Sequence, residues 1–206
     1  MDSAIEAVLA AFEARSEREW SSPGAAGGRD KMLLSVGREA GKLLNLLVRE
    51  AKAQRILELG TSYGYSAVWL AEAARATGGR IISLDVADYK QASAAKSLAE
   101  AGLDGFVEFQ TGDALEIIPR LAGSFDFVFM DIWKDLYGPC LDLVYPKLAP
   151  GALLVADNML RPLDARADAL VYRRRVRALP GMSSILLPVG QGLEVSRRAG
   201  PDDAGL

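Results

Sequence analysis

From residue 55 onward, short apolar runs alternate with longer helical segments, and this alternation constrains the fold more than any other feature of the sequence. It predicts an α/β protein whose sheet is mostly parallel, with right-handed crossovers and with helices on both faces. Only the last two runs have the spacing of a hairpin, so the C-terminal end of the sheet should contain an antiparallel strand. The seven predicted strands are 55–59, 80–84, 106–110, 125–130, 152–156, 183–187 and 193–197.

Helical periodicity fills the intervals between the strands, and two further helices precede the sheet. The predicted helices are 4–19, 38–50, 65–76, 89–101, 114–121, 136–148 and 165–178. A stretch rich in serine, glycine and proline, 21–28, separates the first two helices as a flexible loop. We therefore expect a single domain over residues 1–206, with an N-terminal helix and loop (1–30), a core (31–198) and a disordered tail (199–206).

The composition excludes several classes of site and partner. The chain has no histidine, which rules out a histidine general base, a Ser-His-Asp triad and a His-ligated zinc site. Cys140 is the only cysteine, so neither an internal disulfide nor a multi-cysteine metal site is available. The formal net charge of −3 argues against a nucleic-acid or membrane-surface partner. Because the sequence shows no signal-peptide pattern and no apolar run of bilayer length, we expect a cytoplasmic protein.

Polar side chains follow two of the predicted strands at the point where each strand ends. Asp131 ends the fourth strand, and Trp133 and Lys134 come directly after it. Asp157 and Asn158 end the fifth strand. Because ligands of open α/β sheets bind at the carboxyl ends of the strands, these oxygen ligands predict a hard cation held between them. Simpler interpretations stay open: aspartate and asparagine favour caps and turns, and a lone lysine most often makes a surface ion pair.

The turn after the first strand predicts a nucleoside site. Gly60 and Gly64 let the backbone approach a ligand, although a glycine turn alone is often only a tight turn. Glu58 precedes this turn, where it suits a positively charged group such as an amino-acid ammonium better than a pyrophosphate. Asp85, at the end of the second strand, is placed to accept both hydroxyls of a ribose. The pair Asp113-Ala114, after the third strand, could flank a base.

Four segments together resemble those of the cation-dependent class I S-adenosylmethionine O-methyltransferases, the family of the catechol and caffeoyl-CoA O-methyltransferases. They read ILELGTSYGYSAVWLA, GDALEIIPRL, FDFVFMDIWKDLY and LLVADNML. The resemblance covers residues 32–198 and implies a Rossmann-like methyltransferase fold with seven strands. It also implies S-adenosyl-L-methionine and Mg²⁺ or another divalent cation as cofactors, a small-molecule phenolic substrate, and compatibility with a homodimer.

The same resemblance assigns roles to residues. It implies that Asp131, Asp157 and Asn158 bind Mg²⁺ and that Lys134 is the catalytic base, so that Lys134, Asp131 and Asn158 form the catalytic set. Glu58 with Ser66 would hold the methionine moiety. Trp133 would either pack under the loop or form a wall against a flat ligand. The cofactor-binding residues that the resemblance implies are Val36, Glu58, Gly60, Thr61, Ser62, Tyr63, Gly64, Ser66, Asp85, Val86, Asp113, Ala114, Asp131 and Trp133.

The sequence departs from the catechol enzyme at positions that concern substrate detail. Ile132 stands where that enzyme has a histidine, which removes one polar contact to the cofactor. The segment 184–186 has no acid where that enzyme offers a substrate-orienting glutamate. Gln191 replaces an aspartate that many family members carry between two glycines. None of these departures affects the implied metal ligands.

Several functions remain open at this stage. The leading hypothesis is Mg²⁺-dependent O-methylation of a vicinal diphenol. A tRNA hydroxyuridine methyltransferase is favoured only by the basic run 172–177, which we interpret as a solvated helix face. An NAD-dependent oxidoreductase would need a turn that accepts a pyrophosphate, which Glu58 disfavours. A non-catalytic S-adenosylmethionine-binding module should have lost Lys134 or a metal ligand, and the sequence retains both.

Overall fold

A computed structural model describes residues 2–22 and 28–203 of the chain and contains a seven-stranded sheet. The strands are β1 (Arg55–Leu59), β2 (Arg80–Asp85), β3 (Val107–Thr111), β4 (Phe125–Met130), β5 (Leu148–Ala156), β6 (Met182–Leu187) and β7 (Leu193–Arg198). Their order in the sheet is β3-β2-β1-β4-β5-β7-β6. The first five strands pair in parallel, and β7 pairs antiparallel to both β5 and β6. The predicted mostly parallel sheet with a C-terminal antiparallel strand is confirmed.

Seven α-helices in the described residues surround this sheet. They are α1 (Ser3–Ser21), α2 (Arg38–Glu50), α3 (Tyr65–Thr77), α4 (Asp88–Glu100), α5 (Ala114–Ile117), α6 (Tyr137–Val144) and α7 (Arg166–Ala178). Two of them are shorter than the periodicity predicts, since a proline follows each and has no N–H to continue the helical ladder. Pro119 turns the end of α5 into a 3₁₀ turn, and Pro146 does the same after α6.

The strands are buried because each face of the sheet packs against helices. Along β4, Phe127 and Phe129 join the core that α1, α2, α3 and α4 cover. Val128 and Met130 point to the opposite core, beneath α5, α6 and α7. This alternation follows from the two-residue period of a strand, and it explains why β4 is apolar throughout.

The segments 21–28 and 199–206 were both expected to lack structure, and the structure describes only part of each. Part of the segment predicted as a flexible loop, 23–27, lies outside the described residues, as do residue 1 and residues 204–206. The prediction of a disordered tail is wrong for its first part, because Pro201–Asp203 forms a 3₁₀ turn. Asp203 accepts a hydrogen bond from the backbone N–H of Gly200 at 2.6 Å, which holds that turn. Among the residues that the structure describes, no helix is both long and apolar enough to cross a membrane.

Gly41 lets α2 approach α3 closely, and this contact yields a test of the packing. A Cβ atom at Gly41 would lie 2.3 Å from Nε1 of the buried Trp69 indole. We expect Gly41→Ala to destabilise the protein by about 1–3 kcal/mol, as overpacking of a full core does, although alanine is intrinsically the better helix former. Urea unfolding measures the change.

The control for this test is Leu46→Ala, which changes an exposed residue of the same helix and should cost less than about 1 kcal/mol. If Gly41→Ala were as stable as the unsubstituted protein, the two helices would not pack this closely.

Candidate functional site

Three neighbouring strands, β1, β4 and β5, end side by side, and two carboxylates extend their ladder. The Asp131 N–H donates to the Leu59 carbonyl at 2.8 Å, and the Asp157 N–H donates to the Met130 carbonyl at 3.0 Å. Asp131 and Asp157 therefore belong to adjacent strand ends, as the sequence predicted. Asn158 follows in the left-handed region, at φ 60°, a conformation that asparagine tolerates better than most residues.

The two carboxylates repel each other in a buried setting. Asp157 is only 1 % exposed, and the side chain of Asp131 is 21 % exposed. Burial raises the pKa of Asp131, while the charge of Lys134 lowers it in part. Burial raises the pKa of Asp157 as well, and the negative charge of Asp131 raises it further. A positive charge placed between them would relieve both effects.

The donor set is small but suits a hard cation. The described residues contain no group of three or more carboxylate, histidine or cysteine side chains that could hold a metal ion. The predicted set consists of two carboxylates and the amide oxygen of Asn158, so it does not form such a group. Mg²⁺ is often held by one or two carboxylates and keeps several waters, which makes an all-oxygen set of this size sufficient.

Lys134 lies beside these carboxylates, with a side chain that is 13 % exposed. Its ammonium nitrogen lies 3.4 Å from Oδ1 of Asp131 and donates to the Tyr137 hydroxyl oxygen at 2.6 Å. The hydroxyl of Tyr137 in turn lies 3.1 Å from both the Met130 and the Asp157 backbone carbonyls. Tyr137 therefore ties Lys134 to the two strand ends, a role that its position six residues after Asp131 did not reveal.

The glycine turn after β1 packs directly against the carboxylate site. Gly60 has φ +100°, and a Cβ atom there would lie 2.0 Å from the Asp131 backbone oxygen, so only glycine fits. The next residues reach Asp85, whose Oδ2 accepts from the Ser62 N–H at 2.7 Å and whose Oδ1 accepts from the Ala87 N–H at 2.9 Å. Each of these oxygens keeps a second lone pair for a ligand hydroxyl.

Glu58 and Ser66 meet inside the fold, as the predicted methionine site requires. Glu58 is fully buried, and its two oxygens accept hydrogen bonds from Ser66 Oγ at 2.6 Å and from Ser83 Oγ at 2.5 Å. Burial raises the pKa of Glu58 to about 7, although the two hydroxyls lower it in part. A cationic ligand would stabilise this carboxylate in its charged form.

A small cavity connects these groups. Six of the predicted site residues line it together with neighbours from the segment 33–36 and with Tyr65. Those six are Val36, Gly60, Thr61, Ser62, Ser66 and Asp131. The cavity therefore lies between the glycine turn, the carboxylate site and the segment that leads into α2.

Tyr63 and Gly64, also predicted as cofactor contacts, do not line that cavity. The Tyr63 hydroxyl donates to the Lys31 carbonyl at 2.9 Å, and its ring lies 3.8 Å from the Arg15 guanidinium carbon. Gly64 packs against α4, where an added Cβ would lie 2.7 Å from the Cβ of Ala94. Both residues shape the turn, and the sequence could not show which way the tyrosine points.

The remaining predicted contacts lie towards the surface. Asp113 caps α5 by accepting the Leu115 N–H at 2.8 Å, and Ala114 is buried behind it. Val86 is 69 % exposed and Trp133 is 55 % exposed. The interpretation of Trp133 as packing under the loop is therefore wrong, and an exposed indole at the strand ends is free to contact a flat ligand.

The N-terminal helix holds one wall of the cavity, which the sequence analysis missed. Oε2 of Glu19 accepts the Leu33 N–H at 2.5 Å, while Oε1 accepts from Arg15 Nε at 2.6 Å. In the sequence, Arg15 and Glu19 are an ordinary helical i,i+4 pair, and nothing local signals the contact to residue 33. Helix α1 is thus fastened to the cavity wall 33–36.

Arg174, Arg175 and Arg177 of the basic run are exposed to solvent, as the interpretation of a solvated helix face predicts, and arginines of the run also form ion pairs. Arg173 and Arg177 bind the fully buried carboxylate of Glu194 at 3.0 and 2.6 Å. Arg175 pairs with Asp142 at 2.6 Å. A buried carboxylate at the start of β7 needs compensating charge, and α7 supplies it.

Comparison with known proteins places this site in a family context. The sequence model of the O-methyltransferase family matches residues 28–199. The chain is 40 % identical over 160 residues to a catechol O-methyltransferase of Niastella koreensis, which covers 73 % of this chain and 72 % of that protein. It also resembles the O-methyltransferase TomG of Streptomyces achromogenes, solved with S-adenosylmethionine, with a TM-score of 0.76, 30 % identity and coverage of 97 % and 91 %. An O-methyltransferase of Bacillus cereus in complex with S-adenosylhomocysteine gives a TM-score of 0.77 at 27 % identity, with coverage of 96 % and 91 %.

The clamp between Glu19 and the cavity wall can be tested by hydrogen exchange. We expect Glu19→Ala to speed amide exchange across 33–36 by about tenfold or more, since a hydrogen bond to a charged group contributes about 1.5–3 kcal/mol. Glu17→Ala changes an exposed acid of the same helix and should leave that exchange unchanged. Equal protection of the segment in both variants would show that α1 does not hold it.

Proposed function

Because this chain belongs to the family of S-adenosylmethionine-dependent O-methyltransferases, we propose that it methylates a hydroxyl of a catechol-like vicinal diphenol and uses Mg²⁺. The observation that carries the proposal is the pair of buried carboxylates at the ends of β4 and β5, with Lys134 beside them. Such a set serves to bind a hard cation and to take a proton. The relatives named as catechol O-methyltransferases support the substrate class.

The metal ligands that we propose are Asp131, Asp157 and the side-chain amide of Asn158. The fit rests on chemistry: all the donors are oxygen, burial raises the pKa of both carboxylates, and the charge of Asp131 raises the pKa of Asp157 further. A divalent cation held by these three residues would lower the pKa of a substrate hydroxyl beside it. Three protein oxygens would leave part of the shell of about six that Mg²⁺ prefers for the substrate and for water.

Lys134 is the proposed base. A phenol has a pKa of about 10, so at neutral pH its hydroxyl must lose a proton as the oxygen attacks the methyl carbon. The carbon–sulfur bond of the sulfonium would break as the carbon–oxygen bond forms, and the phenolic proton would pass to Lys134 in its neutral amine form, which a divalent cation beside the ammonium would favour. Contact with Asp131 and with the Tyr137 hydroxyl fixes the position of that nitrogen. No histidine is present to compete for the role.

The cofactor would lie across the cavity and the rim of the sheet. We assign its ammonium group to Glu58 and Ser66, and its ribose hydroxyls to Asp85, on the hydrogen-bonding capacity described above. Val36 and the turn 60–62 would enclose the methionine chain. Asp113 and the buried Ala114 would flank the adenine together with the exposed residues Val86 and Trp133, with Trp133 also in reach of a flat acceptor.

The alternatives lose support. The arginines that favoured a tRNA substrate are largely engaged in ion pairs, because Arg173 and Arg177 compensate Glu194, and Arg175 pairs with Asp142. The family match excludes an NAD-dependent oxidoreductase. A non-catalytic module does not explain why Lys134 and the carboxylates are kept together. A cytoplasmic location, a single-domain organisation and a homodimer stay predictions.

An acceptor panel tests the proposed function. The panel contains a catechol, a caffeoyl thioester, a monophenol and undermodified tRNA, each with S-adenosylmethionine and with either Mg²⁺ or excess EDTA. We expect methylation of the vicinal diphenols only, and only with Mg²⁺. Turnover in excess EDTA would contradict the requirement for a metal ion. Turnover of the monophenol as fast as that of the diphenols would contradict the preference for a vicinal diphenol. Methylation of the tRNA would establish the alternative function as a tRNA methyltransferase.

Replacing Lys134 tests the base. We expect Lys134→Met to lower kcat by about 10²–10⁴-fold, the usual effect of losing a general base, while binding of S-adenosylhomocysteine persists. Lys96→Met removes an exposed lysine of α4 and serves as the control. A variant in which only KM changes would show that Lys134 binds substrate rather than accepting its proton.

The pH dependence of metal binding tests the carboxylates. The folded protein holds Asp157 with a pKa of about 8, whereas an unfolded carboxyl titrates near 4. Between about pH 4 and about pH 8 the folded protein keeps a proton on Asp157, and Mg²⁺ must displace that proton to bind. The stabilisation of the fold by Mg²⁺ should therefore grow from about pH 6 to about pH 8. Thermal unfolding with and without Mg²⁺ measures this. Asp157→Asn should abolish the Mg²⁺ effect, and a shift of equal size at both pH values would contradict the account.

A further inference from the structure

A chain of hydrogen bonds runs from the exposed Thr111, at the end of β3, into the fold to Glu58. Thr111 Oγ1 donates to Gln91 Oε1 at 2.6 Å, and Gln91 Nε2 donates to Thr61 Oγ1 at 3.0 Å. Thr61 Oγ1 lies 2.6 Å from Ser83 Oγ, which donates to Glu58 Oε2 at 2.5 Å. We refer to these five residues as the hydroxyl–amide chain. Gln91, on α4, is 4 % exposed, and Glu58, Ser83 and Thr61 are 0–1 % exposed.

The direction of every hydrogen bond in this chain is fixed. Nε2 of Gln91 lies 3.1 Å from the Ser83 carbonyl and 3.3 Å from the Gln110 carbonyl, and carbonyls only accept. Its two N–H groups thus face three acceptors, of which Thr61 Oγ1, at 3.0 Å, is the nearest. The amide nitrogen must therefore face them, which leaves Oε1 as the acceptor for Thr111. Since Thr61 accepts from Gln91, its own hydrogen goes to Ser83, and the hydrogen of Ser83 goes to Glu58. All the donors point towards the Glu58 carboxylate.

This polarity matters because the surroundings of Glu58 are otherwise unfavourable to a charge. Its two hydrogen-bond partners are the hydroxyls of Ser66 and Ser83, and the carboxylates of Asp85 and Asp131 repel it. Hydrogen bonds in a chain polarise one another, so a donor fixed at one end strengthens the bond at the other. Thr61 also belongs to the glycine turn and lines the cavity, which links the chain to the ligand side.

We propose that Gln91 is a positioning residue for cofactor binding, which acts through Thr61 and Ser83 to hold Glu58 as the acceptor of the cofactor's ammonium group. The proposal rests on the assignment of that ammonium to Glu58 made above. It adds that a residue on α4, which lies behind the glycine turn and does not line the cavity, sets the affinity for the amino-acid part of the cofactor. The nucleoside part binds independently of it.

Two ligands separate this role from a merely structural one. S-adenosylhomocysteine carries the amino-acid part, whereas 5′-methylthioadenosine is the same nucleoside thioether without it. Gln91→Met keeps the side-chain length and removes the hydrogen bonds. Calorimetry should show that this variant binds S-adenosylhomocysteine about fivefold more weakly, as loss of one hydrogen bond between neutral groups predicts, with 5′-methylthioadenosine binding unchanged.

The threonine of the chain gives an independent pair of variants. Thr61→Val removes the relaying hydroxyl and should weaken S-adenosylhomocysteine by a similar factor, whereas Thr61→Ser keeps a hydroxyl and should restore most of the affinity. Thr77→Val is the matched control, since Thr77 donates to the Ala53 carbonyl at 2.6 Å, far from the chain. This control should leave both ligand affinities unchanged. If Gln91→Met does not fold, Thr61→Val and Thr61→Ser test the proposal by the same comparison of S-adenosylhomocysteine with 5′-methylthioadenosine.

Three results would overturn the proposal. Equal weakening of both ligands would mean that Gln91 only keeps the shape of the turn. Unchanged binding of S-adenosylhomocysteine in Gln91→Met and Thr61→Val would mean that the chain does not act on Glu58. Failure of the unsubstituted protein to bind S-adenosylhomocysteine would instead overturn the cofactor assignment, and with it this proposal.

Discussion

The repulsion between the buried carboxylates of Asp131 and Asp157 is the constraint on which the rest of the site depends. The parallel ladder leaves no freedom to avoid it, because backbone hydrogen bonds of 2.8 and 3.0 Å fix both residues at neighbouring strand ends. The surroundings follow from this placement: Gly60 has to be glycine because the Asp131 carbonyl lies against it, and Tyr137 brings Lys134 to the same point. A site organised in this way gains stability when a cation enters it.

A second buried acid, Glu194, has its negative charge compensated by arginine side chains of the protein itself. Glu194 is as buried as Glu58, yet Arg173 and Arg177 from α7 neutralise it directly. Glu58 is held by two hydroxyls, and a side-chain oxygen of Asp157 accepts the N–H of Asn158 at 2.6 Å. On the proposed function, the charge that Glu58 lacks would come from the ammonium of the cofactor, and a divalent cation would add to the partial compensation that Lys134 gives Asp131.

Local sequence patterns predicted the fold and much of the site for physical reasons. The bounds of β1, β4 and α2 follow from apolar runs and helical periodicity, and the strand-end acids follow from the rule that parallel strands present their carboxyl ends together. What the sequence did not show are partners far apart along the chain. The contact of Glu19 with Leu33, the direction of Tyr63 and the hydroxyl–amide chain of Gln91 depend on tertiary packing, which no local period encodes. The ion pairs of the basic run were not predicted for the same reason, since Glu194 and Asp142 lie on other elements.

The most direct test of the central claim is a Mn²⁺ titration followed by electron paramagnetic resonance, because Mn²⁺ takes the same oxygen ligands as Mg²⁺. The account predicts that the protein binds one Mn²⁺ per chain, that Mg²⁺ displaces it, and that both Asp131→Asn and Asp157→Asn abolish the bound signal. Mn²⁺ binding that persists in both variants, or a protein that binds no Mn²⁺ at neutral pH, would contradict a cation site at the ends of β4 and β5.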